Sequence, residues 1–230
     1  MALLSEFALT PDVFDTASYV HEEVADARLQ VLKDALLNEA LVRDLREGEW
    51  FELFSSPERL WHRRGKELLK KLKLQKRLRT MPPASSTDCV SDVDWCNEAL
   101  QTHESLPLNG IVVTKAIIDQ VPDEPLVCCI DRLSSTPWWS GRSPSVRLRR
   151  TAEEYEKHLR LLLCCCNSIM LIDPHFDPTE GRFSDFLGVL SAVAGRSPAP
   201  DIEFHRVCYV GSGTRRQVYD GPYWETQFRS

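Results

Sequence analysis

Ile169-Met170-Leu171-Ile172-Asp173-Pro174-His175-Phe176-Asp177-Pro178 is the stretch whose reading decides the fold class. Four apolar residues in a row, stopped by polar ones, read as a short strand covered on both faces, the habit of parallel sheets. The two prolines then favour an extended backbone before them. Upstream, Thr151-Ala152-Glu153-Glu154 has the form of a capping box and opens a helix through about Cys165. Tyr155, Leu159 and Leu162 share one face of that helix. Downstream, residues 183–194 read as a helix and residues 202–210 as a second strand. Strand, helix and strand at this spacing imply a right-handed parallel crossover. Gly221-Pro222 opens a last helix. The final third is therefore expected to be an α/β unit.

Working towards the N-terminus, residues 111–113, 126–130 and 146–148 are short β-rich runs bounded by Pro, Gly and Ser. Residues 134–145, with Pro137-Trp138-Trp139, read as a loop. Ser91-Asp92-Val93-Asp94 resembles a capping box for a helix through Gln101. Residues 81–91 are rich in Pro, Ser and Thr, and read as a linker.

Residues 1–58 carry thirteen acids against four bases, a net of -9. Thr10-Pro11-Asp12 suits a helix start, with Val20, Val24, Ala27, Val31 and Ala35 as an apolar stripe widened by Leu29, Leu32, Leu36 and Leu37. That helix is expected to end near Gly48. Ser56-Pro57-Glu58 opens a second helix, running to about Leu78. Ten of residues 59–79 are Lys or Arg against Glu67 alone, a net of +9. Two helices of opposite charge suggest a hairpin. The expected architecture is α/β, with a helical hairpin over 1–80, a linker over 81–91 and an α/β domain with a partly parallel sheet over 92–230.

The whole chain has 230 residues and a net charge of -6, which makes no global case for nucleic acid. The N-terminus lacks the basic segment of a signal peptide. The greasiest stretch, residues 159–172, is interrupted by Arg160, Asn167 and Ser168 and is too short to span a bilayer. A cytoplasmic protein without a membrane partner is expected. The eight cysteines contain no C-x-x-C, and adjacent ones diverge on helix or strand alike. They read as reduced core residues, with no metal and no cofactor.

Ligands of open α/β sheets sit beyond the carboxyl ends of the strands. One such end offers Asp173, His175 and Asp177 at alternate positions, which face the same way if the segment stays extended. A histidine between two carboxylates can be oriented and raised in pKa for catalysis, or can share a metal with them. The plainer alternative makes both aspartates turn caps and His175 a surface residue. The other strand end offers Gly211-Ser212-Gly213-Thr214-Arg215-Arg216. Ser212, Thr214, Arg215 and Arg216 could hold a phosphate through N–H groups and guanidinium forks, or form an ordinary polar turn. His205 and His158 read as satisfied structural histidines. On the basic helix, Arg63, Arg64, Lys70, Lys71, Lys73, Lys76 and Arg77 could contact nucleic acid. Pairing with the acidic helix is the competing explanation. Trp50, Phe51, Phe54 and Trp61 read as packing residues of the hairpin.

The strand from Ile169 through Pro178, followed by a helix and a second strand, resembles part of the phospholipase-D-like superfamily, whose bacterial members include nucleases and defence-associated proteins. The resemblance covers about residues 110–230. It implies an α/β domain that binds or cleaves a phosphodiester, with nucleic acid in a defence setting as the substrate. His175 would be the polar centre, Asp173 and Asp177 its orienting groups, and Arg215 and Arg216 the phosphate ligands. The family's H-x-K motif, a histidine that attacks phosphorus and a lysine that steadies the phosphate, is absent. His62-Arg63-Arg64 and His158-Leu159-Arg160 are the nearest strings, both on expected helices. On this resemblance the domain would be incomplete, its catalytic segment following Ser230. The rival expectation is a non-enzymatic interaction or scaffold protein, with a degenerate α/β domain and a helical hairpin that docks a protein partner.

Overall fold

Thr10-Pro11 closes the first of two strands that the charge pattern had hidden. In a computed structural model, which describes residues 4–121, 124–193, 196–210 and 213–229, β1 (Ser5–Leu9) and β2 (Ala40–Asp44) are buried at every position. Glu6 and Arg43 stand on these strands and pair at 3.1 Å, with Arg43 fully buried. Arg43 also donates to Thr102 Oγ1 at 2.9 Å and to the Leu106 carbonyl, and Arg79 reaches Glu6 at 2.9 Å. A buried charge persists only when it is paired and hydrogen-bonded like this.

The chain divides into two units, Met1–Ser145 and Val146–Ser230. The first runs β1, α1 (Glu22–Glu39), β2, α2 (Glu49–Glu52), α3 (Arg63–Leu74), β3 (Leu78–Thr80), α4 (Asp92–Ser105), β4 (Gly110–Val113), α5 (Lys115–Ile118), β5 (Val127–Cys129) and α6 (Pro137–Ser140). Its five strands form one sheet in the order β3-β2-β1-β4-β5, with every pair parallel. The order reverses between β1 and β4, the mark of a doubly wound sheet. Ser91 caps α4 in a complete capping box with Asp94.

The acidic and basic helices α1 and α3 do lie against each other. Arg64 joins them, donating to Asp26 at 2.5 Å and to Gln30 at 2.9 Å. They are not joined by a simple loop, however: β2 runs between them, so residues 1–80 supply three strands of the sheet. The unit boundary falls after Ser145, and residues 81–91 lie within the first unit. The apolar stripe also differs. Ala25, Leu29, Leu32, Ala35 and Leu36 are buried, whereas Val20, Val24 and Val31 are exposed at 90%, 42% and 52%. Phe14, Trp50, Phe54 and Trp61 form a chain of ring contacts, the closest between Phe54 and Trp61 at 4.7 Å. Residues 146–148 form no strand, and Pro137 starts a helical turn whose Trp139 is buried against Phe7.

The second unit runs α7 (Ala152–Cys165), β6 (Ser168–Ile172), α8 (Ser184–Leu190), β7 (Asp201–His205), β8 (Tyr209–Val210), β9 (Gln217–Val218) and α9 (Gly221–Arg229). β6 and β7 pair in parallel with α8 between them. Thr151 caps α7 by accepting from the Glu154 amide at 3.3 Å. One face of this ribbon, carrying Ile169, packs on Leu163 of α7 and Val189 of α8. The other is open: Met170 and Ile172 are 58% and 74% exposed. β6 is therefore covered on one face only, against the expectation from its apolar run. The expected strand 202–210 breaks after His205, and Tyr209–Val210 joins Gln217–Val218 in an antiparallel hairpin. Among the described residues, no helix is long and apolar enough to cross a membrane.

Candidate functional site

The turn after β6 does not stay extended. The Asp173 carboxylate accepts from the His175 backbone amide at 2.8 Å, and the Phe176 amide donates to the Asp173 carbonyl at 3.3 Å. Asp177 accepts from the Thr179 amide at 3.0 Å and its hydroxyl at 2.7 Å. Both aspartates cap local turns, as such side chains do where the backbone reverses. Neither carboxylate hydrogen-bonds the His175 imidazole, so the orienting role expected of them is not in place. Asp173 is further tied to Arg150 at 3.6 Å.

What assembles around this turn is a pair of cavities at the carboxyl ends of β6 and β7. The smaller, about 170 Å³, is polar and includes His175, Asp177, Glu180 and Tyr209 in its wall. The larger, about 210 Å³, is lined by aromatic rings together with Arg150, Asp173 and His205. Arg182 and Arg206 belong to both walls. Arg206 is held firmly: it donates to the Phe176 and Val207 carbonyls and lies 3.1 Å over the Trp224 ring. Its partial burial lowers its pKa, while the charge of Asp177 nearby works in the other direction. Arg182 is the more exposed partner, its side chain 56% exposed, paired to Glu180 and 4.9 Å over the Phe183 ring. His205 is half-exposed and bonded to Glu203 at 2.7 Å, so it is not a core histidine.

Arg150, Arg182 and Arg206 were not singled out from sequence. Arg206 had a signal, its place directly after β7; Arg150 and Arg182, which precede α7 and α8, had none. The described part of the glycine-rich segment, residues 213–216, lies between β8 and β9 rather than at the end of β7. Ser212 lies outside the described residues. Thr214, Arg215 and Arg216 are exposed, and Arg216 stacks 3.2 Å over the Tyr209 ring. Tyr209 ties that segment to the polar cavity.

On α3, Arg64 is engaged with α1 and Lys73 lies 4.6 Å over the Phe51 ring; beyond its end, Arg77 donates to the Ala40 carbonyl. Arg63, Lys70, Lys71 and Lys76 face solvent. Neutralisation by the acidic helix thus falls to one arginine, and most of the basic face remains open.

The first unit has its own strand-order reversal, and Asp12 follows β1 there. It is 5% exposed. One oxygen accepts from the Thr114 amide at 3.2 Å and from the Thr114 hydroxyl; the other is buried without a partner among the described residues. Burial raises its pKa, against the pull of the Thr10 and Thr114 hydroxyls. No described cluster of three His, Cys, Asp or Glu could hold a metal ion. None of the eight cysteines forms a disulfide; Cys96, Cys128 and Cys129 are buried as expected, while Cys164 and Cys208 are exposed. Comparison with protein-family models, with curated proteins and with solved structures found no match.

Proposed function

We propose that the second unit binds a phosphodiester at the carboxyl ends of β6 and β7, with nucleic acid as its carrier. The reading keeps the phospholipase-D-like expectation but moves the phosphate ligands from Arg215 and Arg216 to Arg182 and Arg206. One observation carries it: both guanidinium groups share a polar cavity wall with His175. Arg206 is pre-positioned by Phe176, Val207 and Trp224, so little freedom is lost when it meets an anion. Arg182 can exchange Glu180 for a phosphate oxygen, and the planar fork suits that geometry. Open lysines on α3 add a second, sequence-independent attraction for a polyanion. The activity proposed is binding. Cleavage would need a group to steady the phosphate as His175 attacks, and no lysine lines the cavity.

Fluorescence anisotropy with a labelled single strand, titrated at several salt concentrations, tests the proposal. Arg182→Gln should weaken binding by about tenfold and flatten the salt dependence by roughly one unit of slope. Affinity that ignores salt, or that survives Arg182→Gln intact, would overturn it. A non-enzymatic docking protein is the second reading, and it has one observation of its own, the open β6–β7 face with Met170 and Ile172. Self-association abolished by Ile172→Asp, in a protein that ignores oligonucleotides, would favour that reading.

A further inference from the structure

We infer that β6 pairs edge to edge with β6 of a second copy of this chain, joining two ribbons into one sheet of order β7-β6-β6-β7. The ladder between β6 and β7 fixes which backbone groups are left over. The Asp201 amide donates to the Asn167 carbonyl at 3.0 Å, and the Asp173 amide to the His205 carbonyl at 3.2 Å. Successive residues of a strand direct their N–H and C=O groups to opposite sides, so Ile169 and Leu171 address β7 as Asn167 and Asp173 do. Ser168, Met170 and Ile172 direct theirs to the other side. Among the described residues no further strand pairs there, and no loop backbone bonds to these three. All three are exposed. The two edges of the ribbon also differ. β7 carries Asp201 and Glu203 and follows Pro198 and Pro200, the charges and prolines that protect a sheet edge. β6 reads Ser-Ile-Met-Leu-Ile, with no charge, proline or glycine. A bare edge of that composition is a template for another strand.

The strand that fits this edge is β6 itself. A two-fold axis through Met170 sets the two strands antiparallel, with Met170 opposite the partner's Met170 and Ser168 opposite the partner's Ile172. Each opposed pair then exchanges both of its main-chain bonds. Met170 and Ile172 lie on one face and continue as an apolar strip across the seam. No charge meets its like, because Asp173 comes opposite the partner's Asn167, a carboxylate against an amide. Pairing β7 with its own copy would instead set Asp201 and Glu203 against the partner's acids, which destabilises a cross-strand pair. The two-fold arrangement also closes. It uses both bare edges and leaves only the charged β7 edges outside, whereas a foreign strand would move the open edge outward by one place. A single two-stranded ribbon is marginal, and the joined sheet has the usual strand number. The pairing stands apart from the phosphodiester reading, since none of the three edge residues lines the polar cavity.

Sedimentation of the intact chain over a rising concentration series, with amide hydrogen exchange at each end of the series, tests the pairing. The chain should pass from one copy to two. The amides of Ser168, Met170 and Ile172 should exchange freely in the dilute sample and slow by at least about tenfold in the dimer. Those of Ile169 and Leu171, already bonded to β7, should be protected in both. A mass of one chain at every concentration would overturn the inference. So would a dimer in which the three edge amides still exchange freely, since that association uses another surface. Met170→Pro removes an N–H that faces away from β7, so it spares the existing ladder and keeps an apolar side chain. It should weaken the dimer at least about tenfold with the thermal melt of the monomer retained. Met170→Lys, which sets two like charges against each other on the axis, should weaken it too. A dimer undiminished in either folded variant would equally overturn the pairing.

Discussion

Asp12 carries a carboxylate that folding dries out without fully pairing. Desolvation is the largest influence on it, and the nearby charge of Asp92 adds to the upward shift. Its folded pKa therefore lies above the ordinary aspartate value near 3.8. A folded state that holds more protons than the unfolded one loses stability as pH rises. The wild-type protein should thus lose part of its stability between about pH 4 and the raised pKa, while Asp12→Asn, which has nothing to titrate there, should not. Melting curves from pH 3.5 to 7.5 measure this: the difference in Tm between variant and wild type should move in the variant's favour as pH climbs. A constant difference would show that Asp12 ionises in the fold without penalty. This residue also shows why the site was only partly legible. From sequence, Asp12 belongs to a helix start and Glu6 to an acidic segment; that both are buried follows from strands β1 and β2, whose polar residues break the apolar run. Likewise, His175 could be found because a strand ends at Asp173. Arg206 could not, because its importance comes from the rings and carbonyls that hold it, and these are distant in sequence.

At the scale of the element, legibility followed local chemistry. Capping boxes at Ser91 and Thr151 located α4 and α7, since both partners of each lie within four residues. Periodicity found α1 inside a longer expected helix and drew too broad a stripe: Leu29, Leu32, Ala35 and Leu36 are buried, but Val20, Val24 and Val31 are not, because valines and leucines recur on adjacent faces and only the sheet decides which is covered. α3 offers a sharper test through Gly65. A glycine inside a helix normally costs about 1 kcal/mol relative to alanine, so Gly65→Ala would stabilise a helix considered alone. Here a Cβ would stand 2.9 Å from Phe14 Cδ1. Phe14 is fully buried between Trp50 and Phe54, with ring centroids 6.1 Å and 5.2 Å away, and has little room to yield. Overpacking of such a core typically costs 1–3 kcal/mol. The expected result for Gly65→Ala is a net loss of about 1 kcal/mol by urea unfolding. An increase in stability would mean that the aromatic cluster accommodates the methyl group and that α3 is less tightly seated than its packing implies.

For the whole molecule, the two units differ in how completely each closes its own core. The sheet of Met1–Ser145 has helices packed against it, and its strands β1, β2 and β4 are buried throughout. The Arg43–Glu6 pair and the Phe14–Trp50–Phe54–Trp61 rings are satisfied entirely within that unit. Val146–Ser230 has a two-stranded parallel ribbon with one open face, and its packed cluster is built on Leu163, Ile169 and Val189. Small domains bury a lower fraction of their surface and are correspondingly marginal. A fragment of residues 1–145 should therefore fold alone, with a cooperative melt within a few degrees of the matching transition in the intact chain. The complementary fragment, 146–230, should melt at a lower temperature and over a broader range, and a single-stranded oligonucleotide should raise its Tm by mass action, because His175, Arg182 and Arg206 all lie within it. Circular dichroism on both fragments decides the matter. A fragment 1–145 that fails to unfold cooperatively would show that its sheet depends on the rest of the chain, and that the division after Ser145 separates contacts without separating stability.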